Sequence, residues 1–144
     1  ARNLSGGNQQ KVVLAKWLLS DSKVIIFDES TAMLDPDGRR EVMGIIRRLK
    51  EEKHITVILI THNMDEAALA DRVIVVDGGR IIVDGTPSKV FSEVELLRKT
   101  GLDVPQTTEL LYVLGAEGFD FPKGITSVED CADAVCKYYF GQET

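Results

Sequence analysis

At 144 residues, the chain is long enough for one domain with a real core and small for a complete nucleotide hydrolase. Its 23 acidic and 17 basic side chains leave a formal charge of −6, which argues against a nucleic-acid groove, because such a groove needs a basic surface. No apolar run approaches the roughly 20 residues that span a bilayer, and no signal-peptide pattern is visible.

The predicted elements alternate between helix and strand. The chain opens at Ala1, inside a motif, so the expectation is a fragment whose upstream half lies elsewhere. Lys11 to Leu19 carry Val12, Ala15, Leu18 and Leu19 at helical spacing. Val24 to Phe27 form a short, wholly apolar run that ends in acids, as a strand buried on both faces would. Asp35 then caps a helix with Pro36 at its first position. Val42, Ile45, Ile46 and Leu49 would line its inner face, and Arg47, Arg48, Lys50, Glu51 and Glu52 its solvated face. Thr56 to Ile60 read as a second buried strand, followed by a short helix around Asp65 to Ala70. Val73 to Val76 and Arg80 to Val83 flank Asp77-Gly78-Gly79 as a hairpin, and Gly85-Thr86-Pro87 ends this unit.

From about Glu93 the texture changes. Leu110, Leu111 and Leu114 predict a helix, and Gly118 to Gly124 a loop containing Phe119, Phe121 and Pro122. Ser127 and Asp130 form a capping pair for a last helix. Cys131 and Cys136 have neither redox nor zinc spacing; they border an apolar stripe of Val128, Ala132 and Val135 and are expected to be half-buried, reduced thiols. There is no internal repeat and no low-complexity tract. The expected division is 1–92 and 93–144, the second part a helical extension for packing or dimerisation.

Three motifs carry chemistry. Leu4-Ser5-Gly6-Gly7-Asn8-Gln9-Gln10 precedes a predicted helix. Glycines let a backbone approach phosphate, a helix N-terminus offers free N–H groups, and Ser5 adds a hydroxyl donor. Taken alone, the same residues are more often a simple cap. Asp28 and Glu29 end a buried strand, at the carboxyl edge where open α/β sheets bind ligands. Asp28 can hold magnesium through water, and Glu29 can polarise an attacking water; equally, the two acids can cap the next turn. His62 follows the strand through Thr61 and can hydrogen-bond a γ-phosphate, although a histidine at a strand end is more often structural. His54, in a charged loop, receives no role.

Order and spacing separate these alternatives. Ser5-Gly6-Gly7, Phe27-Asp28-Glu29, Ala32-Met33-Leu34-Asp35 and His62 resemble, in order, the signature loop, Walker B end, D-loop and switch histidine of the ABC ATPase family. The resemblance covers residues 3 to about 90. Within the family, Asp28 to Pro36, Thr61 to Ala67 and Gly101 to Gln106 look like the ATPase subunits of energy-coupling factor importers, which bring in vitamins and transition-metal ions. Leu4 to Trp17, with Asn8 inside the signature and Lys16-Trp17 after it, looks more like monosaccharide importers of the ribose type.

The resemblance implies an α/β fold: a partial P-loop NTPase, with a mostly parallel sheet flanked by helices and a C-terminal helical appendage. It implies ATP and Mg²⁺ as cofactors, with Asp28 as the metal residue and Glu29 and His62 as the catalytic pair. Ser5, Gly6, Gly7, Asn8 and Asp35 would bind nucleotide, the signature loop covering ATP held on the opposite domain of a head-to-tail dimer. The implied partners are a second ABC ATPase subunit, a transmembrane scaffold and a substrate-binding subunit, without nucleic acid, at the cytoplasmic face of the membrane. The Gly-rich phosphate loop with its Lys and the glutamine loop would lie upstream of Ala1, so this chain alone would be inactive. The alternatives are a non-transport ABC-type ATPase, expected to show basic patches or a coiled-coil insertion, and a binding module without activity.

Overall fold

The computed structural model describes residues 22–29 and 31–141, which form parts of two compact units, 1–61 and 62–144. The predicted helix at Lys11 to Leu19 lies outside the described residues.

In the first unit, β1 (Val24–Asp28) pairs in parallel with β2 (Thr56–Ile60), Val24 opposite Thr56 and Asp28 opposite Ile60. Between them runs α1 (Pro36–Lys53). The Asp35 carboxylate accepts the Gly38 N–H at 2.9 Å, Pro36 stands where no N–H is needed, and Lys50 and Lys53 occupy the last turn. His54 closes the helix at φ +50, so the residue given no role in the sequence turns the chain toward β2.

Helical spacing puts Val42, Ile46 and Leu49 on the buried stripe and Ile45 at its margin; Arg47, Arg48, Lys50, Glu51 and Glu52 face solvent as expected. Val42 and Ile46 meet Ile25 and Phe27 of β1, with Val57 and Leu59 of β2 packed alongside. Both strands are therefore covered on one face. Val24 is 51% and Ile26 61% exposed, and Ile58 and Ile60 are exposed as well. Within this chain the expected burial on both faces is met on one face only. An unbroken apolar sequence allows two-sided burial, but α1 covers a single side, and period-two alternation turns every second residue away from it.

In the second unit, α2 (Met64–Ala67) leads into a hairpin of β3 (Val73–Asp77) and β4 (Arg80–Gly85). Gly78 and Gly79, at φ +52 and +74, form its two-residue turn, which needs positive φ at both positions. A register shift between Val75 and Val76 leaves Ile82 as the extra residue of a bulge. Two bonds from the Arg72 guanidinium to the Asp84 carboxylate, at 2.7 and 2.6 Å, tie the open end of the hairpin.

Four helices follow: α3 (Pro87–Phe91), α4 (Val94–Lys99), α5 (Gln106–Ala116) and α6 (Val128–Phe140). Val75 of the hairpin shares one core with Val90, Phe91, Val94, Leu97 and Val104, so the packing runs continuously across residues 92 and 93. On α5, Leu111 is buried and Leu110 exposed. The last helix starts as its capping pair predicts, the Asp130 N–H donating to the Ser127 hydroxyl at 3.0 Å.

The predicted stripe on α6 is displaced. Val128 is 70% exposed and Ala132 is exposed; Cys131 is buried and Cys136 exposed, so the two thiols are not half-buried alike. The reason lies in what α6 rests on. Cys131 reaches the Thr107 carbonyl of α5, which makes its side of the helix the inner one, and burial pushes its thiol pKa up. Phe119 and Phe121 of the predicted loop pack their rings with Tyr138 near the far end of α6.

The same loop is held by the Thr108 hydroxyl, which donates to the Ile125 carbonyl at 2.6 Å, and by a close backbone approach at Gly124. Gly124 has φ +72, and a Cβ added there would fall 2.0 Å from the Ser88 carbonyl oxygen. Gly124→Ala therefore meets both a backbone penalty of about 1–2 kcal/mol and a clash with main chain. The expected outcome is a loss of at least about 2 kcal/mol, read as a lower urea midpoint with an unchanged slope.

Asp84 generates a pH prediction. The hydrogen bonds from Arg72 hold its carboxyl below the usual range, outweighing the opposing effect of burial, and the Arg72 and Lys89 charges act in the same direction as those bonds. A depressed folded-state pKa gives stability that is full above the unfolded-state value and is lost as pH falls through the folded-state value. In acid titrations of stability, Asp84→Asn should flatten the curve below the ordinary aspartate range and leave its shape near neutrality unchanged. An identical acid limb in both proteins would show that the pair contributes nothing.

Candidate functional site

Parallel pairing in register brings the ends of β1 and β2 to one edge of the first unit. Asp28 is the last residue of β1, opposite Ile60, and the Glu29 N–H extends the ladder by donating to the Ile60 carbonyl at 2.9 Å. Both acids are exposed. Two carboxylates thus leave a rigid strand end at the carboxyl edge of the sheet.

Glu29 then leaves the extended conformation altogether. Its φ of +44 is left-handed, a region that costs a side-chain-bearing residue roughly 1–2 kcal/mol. Hydrogen bonds on both sides hold it there: its N–H is in the ladder, and its carbonyl accepts from the Ala32 N–H at 3.1 Å. A second turn follows, the Leu34 N–H donating to the Thr31 carbonyl at 3.0 Å, and the Asp35 cap then starts α1. Thr31 is only 2% exposed while Met33 is 93% exposed. The loop is therefore plugged at Thr31, capped at Asp35 and protruding between them.

His62 stands two residues past the end of β2 as the first residue of the second unit, and its side chain is exposed. Behind it, Asn63 caps α2, its Oδ1 accepting from the Asp65 and Glu66 N–H groups at 3.0 and 3.3 Å. Glu66 is 3% exposed.

The structure thus joins Asp28, Glu29 and Asp35 in one continuous strand-loop-helix segment. Ser5, Gly6, Gly7 and Asn8 lie outside the described residues. Two positions drew no role from sequence. Thr31 gives no signal of its burial, because threonine is more often exposed than buried. Asn63 does give one: Asn63-Met64-Asp65-Glu66 has a capping residue followed three positions later by Glu. Among the described residues, no three His, Cys, Asp or Glu side chains converge in a metal-binding group, and no helix is long and apolar enough to cross a membrane.

Comparison with known proteins gives three results. Residues 1–32 match the family model for "ABC transporter". The chain is 52% identical over 134 residues to the energy-coupling factor transporter ATP-binding protein EcfA1 of Caldanaerobacter subterraneus, covering 93% of this chain and 48% of that protein. It is 49% identical over 134 residues to EcfA1 of Clostridioides difficile, with the same coverage. The chain thus spans about half the length of the curated relatives it matches. Among solved structures it is similar to cbiO1 from Clostridium perfringens, described as part of the ABC transporter complex cbiONQ, with 39% identity and a TM-score of 0.60 over 77% of this chain and 45% of that one.

The left-handed turn at Glu29 makes a prediction about stability alone. Among variants at this position, Glu29→Gly and Glu29→Asn should be more stable than Glu29→Val by about 1 kcal/mol or more, since glycine and asparagine tolerate positive φ and a β-branched residue fits that region worst. Urea unfolding of the three variants checks this ranking, and a valine variant as stable as the glycine variant would contradict it.

Proposed function

The chain belongs to the ABC transporter ATPase family, and from that premise we propose that it carries the hydrolytic half of an ATPase subunit energising an energy-coupling factor importer. The observation that carries the chemistry is the exit of β1: Asp28 and Glu29 are held at the carboxyl edge by in-register pairing and by the Glu29 bond to Ile60. Support for the transporter class comes from relatives that bear the energy-coupling factor name.

The donor chemistry fits magnesium, a hard cation that keeps several waters and binds through one or two carboxylates and substrate phosphates. Asp28 would hold it through water. When bound, the ion would neutralise charge on the nucleotide phosphates. Glu29 would polarise the attacking water, and His62 would hydrogen-bond the γ-phosphate and keep that water in line. Ser5, Gly6, Gly7 and Asn8 would cover ATP held by a partner ATPase domain, with Asp35 closing the D-loop. A transmembrane scaffold and a substrate-binding subunit would complete the assembly at the cytoplasmic face of the membrane. Residues 1–92 would serve nucleotide chemistry, and residues 93–144 packing or dimerisation. Asn8 within the signature, with Lys16-Trp17 after it, favours the second reading, a monosaccharide importer.

Glu29→Gln in the full-length protein tests the central assignment. The change keeps shape and removes the base, so kcat should fall by at least about 100-fold while ATP affinity stays within a few-fold. Turnover equal to that of the unaltered protein would sink the role of Glu29.

A further inference from the structure

A base that must polarise one water has to be held within about 0.5 Å of its productive position. Glu29 leaves the sheet at φ +44, so its direction depends on what fixes its main chain on either side. The strand holds the amide side, the Glu29 N–H donating to the Ile60 carbonyl at 2.9 Å. The Ala32 N–H holds the carbonyl side at 3.1 Å and closes a turn over residues 29–32. A second turn, over residues 31–34, is closed by the Leu34 N–H on the Thr31 carbonyl at 3.0 Å. Thr31 therefore belongs to both turns. Asp28, Glu29, Ala32 and Met33 around it are exposed, whereas Thr31 is 2% exposed. At the end of the second turn, Leu34 packs on the core of Ile25, Phe27, Val42 and Ile46. The exposed tip of the loop thus hangs between two inward side chains, and the first of them sits at the joint that carries the Ala32 N–H.

We propose that Thr31 is a positioning residue for Glu29: the shape of its buried side chain locks the joint of the two turns, which fixes the Ala32 N–H and through it the carbonyl side of Glu29. The inference rests on the role given to Glu29 above. Every residue in it lies in the first unit. Glu29 has further interactions of its own; the claim concerns its main chain, where both bonds are defined. Thr31 itself touches neither nucleotide nor water in this scheme. Its side chain acts as a peg, since two groups on Cβ leave χ1 few alternatives and close-packed surroundings resist its rotation. Truncation would leave space into which the joint can shift, and the Ala32 N–H would move with it.

The test separates aiming from stability. In the full-length ATPase, assayed well below its melting temperature, Thr31→Ala should lower kcat by about 10- to 100-fold. KM for ATP should stay within about twofold, as for a misplaced catalytic group. Thr31→Val keeps the branched shape without the hydroxyl and should retain kcat to within about threefold. Thr31→Ser keeps the hydroxyl without the methyl and should fall between alanine and valine. A residue that served stability alone would lower the melting temperature and leave kcat per folded molecule unchanged. Should the alanine variant not fold, the serine and valine variants decide, and a valine variant no more active than the serine variant would overturn the proposal. A normal kcat in Thr31→Ala, beside an inactive Glu29→Gln, would overturn the positioning role and leave Glu29 its function. A fully active Glu29→Gln would overturn both.

Discussion

The arrangement depends first on a hydrogen-bond ladder. Because β1 and β2 run parallel and in register, they finish together, and whatever follows each strand emerges at one edge. Antiparallel pairing would have sent the acids and the residues after Ile60 to opposite ends. The parallel choice follows from α1, an 18-residue crossover that carries the chain back along one face and buries Val42 and Ile46 against it. The position of Asp28 and Glu29 is thus a consequence of helix length and strand register.

What the ladder delivers, the next residues must redirect. An extended strand cannot turn into α1 without a sharp change of direction, and Glu29 makes that change with a left-handed φ. Left-handed backbone at a residue other than glycine or asparagine persists only where the surroundings over-determine it. Here the Ile60 carbonyl holds one side, the Ala32 N–H the other, and buried Thr31 anchors the loop just beyond. The residue proposed to polarise the attacking water thus also carries a left-handed backbone.

Much of this was legible in sequence, for reasons that differ by element. Asp35-Pro36, Ser127 with Asp130, and Gly78-Gly79 announce caps and a turn because those residues act on backbone groups within a few positions of themselves. The acids after an apolar run announce a strand edge for the same local reason. What could not be read depends on distant partners. Val24 and Ile26 are as apolar as Ile25 and Phe27, yet only the last two meet α1. The face of α6 is set by Thr107, twenty-four positions away, so Val128 and Ala132 suggested a stripe that packing placed elsewhere. Arg72 and Asp84 carry no signal as a pair, since hairpin register must be known before they are seen to meet.

The seat of the C-terminal loop shows how unequal two touching positions can be. Gly124 is crowded by the main-chain oxygen of Ser88, an atom that every residue type possesses. No exchange at position 88 can therefore make room for a side chain at 124. Drift at the first site is free to proceed, while the second has no compensating partner through which to escape. In a lineage of such chains the two positions would vary independently, one widely and one not at all, although a Cβ at the second would strike the main chain of the first. Covariation would be blind to this contact, because one of its two members is backbone.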